Sequence, residues 1–197
     1  VNKENGQYYF KIPKKEGVTL TTDMTRSLSG CNISLEKRVV YGSNENKTKI
    51  TITNPYNGKK LTKNAAYQVE YKNHPELGKV TVKIQGKGKY TGVVNRSYYV
   101  VPGAVTKAQV KTKKEGKILC FTPTRGAIGY EVLVKSKRAD YRYYTIKEKA
   151  DGTKKVRWTL PKQAAQFDFI QVRPYILTGK KKVYGAFYHA LKDLSPQ

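Results

Sequence analysis

A glycine-rich stretch, IQGKGKYTGVVN at residues 84–95, is the segment that comes nearest to a phosphate-binding loop. A dinucleotide-binding turn has the spacing G-x-G-x-x-G and leads from a strand into a helix, whose free backbone amides hold the phosphate. Gly86, Gly88 and Gly92 have the spacing G-x-G-x-x-x-G instead, and the residues that follow, VVNRSYYVV, are typical of a strand. We therefore expect a bend between two strands here rather than a phosphate site.

Catalytic and metal-binding residues are scarce. The two histidines, His74 and His189, lie in different halves of the chain, and so do the two cysteines, Cys31 and Cys120. No ligand pair has the short spacing of a zinc site, and the few acidic residues form neither a calcium loop nor a defensible glycosidase pair. We predict no catalytic residue, no metal and no cofactor. Two buried free thiols are the favoured state of the cysteines, and a disulfide between the halves is the alternative.

Charge and composition indicate a folded, basic protein. The chain of 197 residues carries 39 Lys and Arg against 14 Asp and Glu, a net charge of +25 that is spread over both halves. Such a surplus attracts polyanions. Nucleic acid has only this charge in its favour, since no recognised nucleic-acid-binding motif is present, and we do not expect it to be the physiological partner. No apolar run is long enough to span a membrane, and the polar start does not read as a signal peptide. If the native protein is exported, this chain is a fragment of it, and we expect the fragment to be monomeric.

Alternating apolar and polar residues predict short, half-buried strands through the whole chain. Residues 80–84 and 156–160 show the pattern most clearly, and turn signals such as Asn57-Gly58 and Asp151-Gly152 separate the segments. The other strands are predicted at 8–12, 32–35, 49–53, 67–71, 97–101, 117–122, 130–135, 143–147, 167–173 and 183–188. The pattern predicts an all-β protein built of sandwiches, with one domain at residues 1–101 and a second at 102–197. Residues 1–13 are expected to be an opening strand or the closing strand of a preceding module.

The first half resembles the bacterial immunoglobulin-like repeats of large surface proteins in Gram-positive gut bacteria. The resemblance rests on LSGCNISL at 28–35 and on YNGKKLTKNAAYQVEYKNHPELGKVTVKIQGKGKYTGVVNRSYYV at 56–100. The family pattern includes G-K-x-L-T, Y-x-V-x-Y-x-N-N and G-x-G-x-Y-x-G, and it implies that the last of these is a strand-end bend against which Tyr90 packs. The His-Pro-Glu-Leu segment at 74–77 departs from the usual short polar turn.

The second half is similar to a fibronectin type III module. The residues that carry this resemblance are KILCFTPTRGAIGYEVLVKSK at 117–137, like strands B and C, and FDFIQVRPYILTGKKKVYGAFYHALKDL at 167–194, like strands F and G. Phe121 stands where the module usually has tryptophan, and Pro174 where it has alanine. Together the two resemblances imply tandem Ig-like and fibronectin III-like β-sandwich domains.

The resemblances imply a non-enzymatic binding or spacer segment of a secreted or wall-attached bacterial surface protein. The expected location is extracellular or attached to the cell wall. Candidate partners are a host glycoprotein, an immunoglobulin, mucin glycan and the anionic wall polymer of the bacterium itself. The alternative is an accessory region of a large extracellular enzyme whose catalytic domain lies outside these residues.

Fibronectin III topology implies where a polyanion would bind. The B–C, C′–E and F–G turns return to the end of the sandwich at which the chain enters, near Pro102. These turns carry six cations, and we expect an anion-binding patch or, as the alternative, a merely solvated charged end. Replacement of the three F–G lysines is expected to weaken heparin retention more than replacement of Lys59, Lys60 and Lys63. The six predicted site residues are Arg125, Lys154, Lys155, Lys180, Lys181 and Lys182.

Overall fold

The protein is all-β in the computed structural model. The structure describes residues 2–4, 7–9, 26–73, 76–114, 116–136, 139–147, 154–162, 167 and 169–191. No α-helix occurs in these ranges, and no helix in them is long and apolar enough to cross a membrane.

Ten strands precede residue 102 and eight follow it within the described ranges. The first set is β1 (Asn2–Glu4), β2 (Gln7–Tyr9), β3 (Arg26–Ser27), β4 (Asn32–Leu35), β5 (Arg38–Val40), β6 (Ile50–Thr53), β7 (Tyr67–Lys72), β8 (Gly78–Gly86), β9 (Tyr90–Thr91) and β10 (Val93–Val101). The second set is β11 (Thr106–Lys113), β12 (Gly116–Thr122), β13 (Gly129–Ser136), β14 (Ala139–Ile146), β15 (Val156–Thr159), β16 (Phe169–Thr178), β17 (Lys181–Tyr184) and β18 (Tyr188–Leu191). Short 3-10 helices form at Leu28–Gly30 and Asn44–Asn46.

The first half is built on a four-stranded sheet in the order β5-β10-β8-β7. β5 runs parallel to the end of β10, and the other neighbours are antiparallel. The pair β4-β6 packs against this sheet, and the alternating residues that point inward form one hydrophobic cluster. Its fully buried members include Leu28, Ile52, Val82, Ile84 and Tyr98.

The second half is a sandwich of two antiparallel sheets. One has the order β11-β12-β15, and the other has the order β14-β13-β16-β17 with β18 also paired to β16. Inward-facing residues of both sheets share one hydrophobic cluster, in which the rings of Phe121 and Tyr130 meet edge to face at 4.7 Å between centroids. The sheets therefore pack face to face, as alternation in the sequence predicts.

Strand prediction failed where tertiary contacts decide the path. β11 was not predicted, because its apolar side consists only of Ala108 and Val110, which are both half-buried. The predicted strand at 183–188 is wrong, because β17 ends at Tyr184 and β18 begins at Tyr188. Gly185 interrupts them, and its amide donates to the carbonyl of Pro174. Residues 10–12 of the predicted first strand and residue 168 of the strand predicted at 167–173 lie outside the described residues.

The glycine-rich stretch forms the expected bend. Gly86 ends β8, and a Cβ there would lie 2.7 Å from the backbone oxygen of Tyr90. Gly88 and Gly92 have φ angles of +62° and +88°, which favour glycine. No helix follows, since β10 begins at Val93.

The two cysteines lie in different halves of the chain and both are free thiols. Cys120 is buried in β12. Cys31 is only half-buried, so the prediction that both thiols are largely buried is wrong for this residue. Burial raises the pKa of the Cys31 thiol, an effect that Arg26 partly offsets.

The two halves touch through an apolar contact. Val101, Ile176 and Val183 are buried together, with Leu77 and Tyr99 packed against them. Ile176 and Val183 belong to the part of the β16-β17 hairpin that extends beyond the pairing of β16 with β13, which ends at Tyr175. The hairpin tip therefore packs onto the end of β10, so that the halves are joined by more than the chain itself.

Candidate polyanion-binding surface

The register places the turns that carry the predicted cations at one end of the second half. β12 ends, β13 begins and β15 begins at this end, since Phe121 pairs with Val156 and Gly129 pairs with Tyr175. The β16-β17 turn extends past the same end. Three of these side chains nevertheless have different surroundings: Arg125 contacts the first half, Lys182 contacts β14, and Lys155 lines the outer surface of the β11-β12-β15 sheet.

Arg125 lies at the contact between the halves. Its guanidinium is 3.7 Å from a carboxylate oxygen of Glu76, and it lies over the ring of Tyr41, 5.4 Å from the centroid. Both partners belong to the first half. Because both charged side chains are about three-quarters exposed, this ion pair adds little stability. Arg125 is therefore partly neutralised.

The three lysines of the β16-β17 turn divide between two environments. Lys180 and Lys181 are exposed at the hairpin tip. Lys182 turns back toward β14, where its ammonium donates to the hydroxyl of Thr145 at 3.0 Å and lies 4.7 Å from the ring centroid of Tyr175. This turn thus offers two exposed cations rather than three.

Lys154 and Lys155 precede β15, and both are exposed. Residues 148–153, the rest of the β14-β15 connection, lie outside the described residues. Lys155 lines a hollow on the outer face of the β11-β12-β15 sheet, away from the β16-β17 turn. The structure therefore groups Lys155 with cations that the sequence analysis did not select.

We call this group the basic face, defined by Lys111, Lys113, Lys155 and Arg157. All four side chains are exposed and surround a hollow of about 110 Å³, with Gln109, Ile118 and Cys120 as the remaining lining residues. No acidic side chain lines this hollow among the described residues. Across the sheet Gln109, Cys120 and Arg157 lie in one row, and Lys111 lies in the next row beside Ile118. Lys111 and Arg157 therefore lie on either side of β12 in adjacent rows, and the four cations share one surface of the sheet around the hollow.

A sequence signal for this face exists. Lys111 and Lys113 are two residues apart, as are Lys155 and Arg157, and residues at that spacing point to the same side of a strand. This spacing predicts the basic face only if β11 is recognised as a strand and if β11 and β15 are known to lie on either side of β12. Only the pairing of the strands brings these two pairs of cations onto one surface.

Glu131, Arg173 and Tyr184 form a hydrogen-bonded cluster apart from the basic face. Glu131 is buried and accepts hydrogen bonds from Arg173 Nε at 2.9 Å and from the Tyr184 hydroxyl at 2.8 Å. Burial raises the pKa of Tyr184, and its hydrogen bond to Glu131 raises it further. His189 is exposed and contacts Gln171, whereas His74 lies outside the described residues. Within the described ranges no three His, Cys, Asp or Glu side chains form a group that could hold a metal ion.

Comparison with known proteins adds no family. No protein-family model matches the chain, and no curated protein matches it significantly.

Proposed function

We propose that this chain is a non-enzymatic segment of a secreted or wall-attached bacterial surface protein and that its basic face binds an acidic glycan or an anionic wall polymer. In this proposal residues 1–101 are a bacterial Ig-like module and residues 102–197 a fibronectin III-like module. The sequence resemblances support the module assignment. A sheet of three strands packed on a larger antiparallel sheet, in the second half, agrees with it.

The observation that carries the proposal is the basic face. Four exposed cations on one sheet surface, without an acidic side chain in the hollow between them, create a positive potential that adjacent ion pairs do not cancel. An exposed sheet surface suits an extended polymer, which can lie across several strands and meet several cations at once. The apolar contact between the halves supports a spacer role as well, because it limits the directions in which this face is presented.

The test compares two variants of equal charge. In the first, Lys111, Lys113, Lys155 and Arg157 are all replaced by Gln. In the matched control the same change is made at four exposed cations scattered over the first half, Lys37, Lys49, Lys72 and Arg96.

We expect the basic-face variant to lose about tenfold or more in affinity for heparin, since four surface contacts at roughly 0.2–1 kcal/mol each are removed. The control is expected to lose clearly less. Isothermal titration at two salt concentrations measures both affinities, and the wild-type affinity must fall as salt rises. Equal losses in the two variants would mean that the charge acts diffusely and would refute the proposed site.

A third variant, Lys180→Ser, Lys181→Ser and Lys182→Ser, tests the turn that the sequence favours. Lys59 and Lys60 are unsuitable as its control, because they line a cleft in the first half. Lys37, Lys49 and Lys72 replace them. A larger loss for this variant than for the basic-face variant would move the site to the hairpin tip.

A further inference from the structure

The first half has a cleft at the end opposite its contact with the second half. β8 and β10 pair from Val100 and Gly78 at the contact end to Val93 and Gln85 at the other. The cleft lies beyond that other end and is formed by the β6-β7 connection, the bend after β8 and the start of β3. Its volume is about 640 Å³, within the range of roughly 300–1,000 Å³ that is usual for small-ligand sites.

The charged residues that line this cleft are all cations. They are Arg26, Lys59, Lys60 and Lys89, each exposed, and no acidic side chain lines the cleft among the described residues. The positive charges come from three separate segments of the chain, so the fold brings them together. A ligand for this cleft therefore carries negative charge.

The backbone around the cleft is held by hydrogen bonds. The amide of Arg26 donates to the carbonyl of Lys89 at 2.8 Å, which fixes β3 against the bend. The amide of Asn54 donates to the carbonyl of Lys59 at 2.9 Å, and the amide of Gly58 donates to the carbonyl of Asn54 at 2.9 Å. The backbone of Arg26, Lys59 and Lys89 is therefore fixed before a ligand binds, and this lowers the entropic cost of binding.

The uncharged lining fits a sugar ring. Asn54 is buried, and its side-chain amide lies 3.5 Å from the hydroxyl of Tyr90. The amide of Asn57 and the hydroxyl of Thr62 supply further donors and acceptors of the kind that sugar hydroxyls need. Tyr90, together with Leu61, Ala65 and Ala66, adds apolar surface for the C–H face of a ring. A bare phosphate needs none of this apolar surface.

We propose that this cleft binds a single acidic sugar residue that carries a carboxylate or a sulfate. The cations hold the acidic group, and the amides and Tyr90 hold the ring. The site is separate from the basic face, and the proposal does not depend on the function proposed for that face. In this proposal the glycine-rich bend contributes to ligand binding, because it positions Lys89 and Tyr90 in the lining of the cleft.

The experiment follows backbone amide signals by NMR while small probes are added to the whole chain. The probes are sialyllactose, a sulfated heparin disaccharide, neutral lactose and sodium sulfate. We expect the two acidic sugars, or one of them, to shift the amides of Thr62, Ala66 and Tyr90, and lactose to shift none of them. The stronger of the two acidic sugars identifies the source, a sialylated chain or a sulfated one.

Two double variants decide whether the cleft is responsible. Lys59→Gln with Lys60→Gln is expected to weaken binding of the acidic sugar by about 10-fold or more, because charge-assisted contacts are lost. The control, Lys49→Gln with Lys72→Gln, removes the same charge elsewhere and is expected to change affinity less than about twofold. Both variants retain the basic face, and urea unfolding of each variant reports on folding independently of either proposed site.

Four outcomes would overturn the inference. Sulfate that binds as tightly as the acidic sugars would reduce the cleft to a simple anion site. Shifts that spread over the whole surface, or equal losses in the two double variants, would show that the cleft does not select the ligand. Absence of any shift at these amides with all four probes would exclude the site.

Discussion

Replacement of Tyr98 by Phe is expected to reverse sign in its effect on stability as the pH rises. Tyr98 is fully buried in β10, and its hydroxyl donates to the carbonyl of Asn46 at 2.7 Å. Burial raises the pKa of Tyr98 to about 12, and the nearby Tyr71 ring hydroxyl raises it too, whereas a backbone hydrogen bond at Thr48 lowers it. At neutral pH the variant loses one buried hydrogen bond, which costs about 1 kcal/mol.

Alkaline pH acts on the wild type alone. The unfolded chain releases the phenolic proton near pH 10, but the folded protein retains it until about pH 12. A raised folded-state pKa stabilises the protein fully below the unfolded value and loses this contribution as the pH rises toward the folded value. The loss for a shift of this size is about 2 to 3 kcal/mol between pH 10 and pH 12. The two stabilities should therefore become equal between about pH 10.5 and 11, above which the variant is the more stable.

Urea unfolding followed by fluorescence at pH 8, 10, 11 and 12 measures the difference between wild type and variant. Deprotonation of lysines and of the other tyrosines affects both proteins, so it largely cancels in this difference. A stability difference that stays constant from pH 8 to pH 12 would refute the reasoning, because it would mean that Tyr98 titrates alike in the folded and unfolded chains.

Two further substitutions probe packing and charge. Gly185→Ala places a Cβ 2.4 Å from the backbone oxygen of Pro102, which cannot rotate away. We therefore expect the free energy of unfolding, measured by heat or urea, to fall by about 1–3 kcal/mol. The control is Gly30→Ala, whose Cβ meets nothing within 4 Å, and equal effects of the two substitutions would contradict the expected clash. Glu131→Gln leaves the largely buried guanidinium of Arg173 without its charge partner and is expected to cost roughly 1–3 kcal/mol. The control is Glu70→Gln, which removes an exposed ion pair with Lys83 and should cost well under 1 kcal/mol. A loss of stability as large as that of Glu131→Gln would contradict the argument that burial makes the Glu131 ion pair important.

Local sequence patterns were sufficient for most strands. Alternation at residues 80–84 and 130–135 predicted β8 and β13, because one side of each strand must be buried and side chains alternate from side to side. Glycine spacing predicted the bend after Gly86, because positive φ angles and a close backbone approach exclude a side chain there. These features depend on neighbours in the chain, which a sequence displays directly.

The surfaces depend on contacts that the sequence does not display. The six cations were predicted from the positions of the turns, which depend only on where the strands end. The directions of the side chains decide which cations share a surface, and they separate Arg125 from Lys155 and Lys182. The basic face requires β11 and β15 to lie on either side of β12. The cleft requires Arg26, Lys60 and Lys89, far apart in sequence, to meet at one end of the first half.

The sequence by itself determined that the chain is basic throughout and that each strand has one solvent-exposed face. The net charge is a sum over residues, and the exposed face follows from the alternation of polar and apolar residues, so neither depends on the order of the strands in the sheets. Tertiary structure decided which positive charges share a surface, because cross-strand pairing sets neighbours about 5 Å apart regardless of their separation along the chain. That physical difference is why the net charge of +25 was evident from composition, whereas the basic face and the cleft emerged only from the fold.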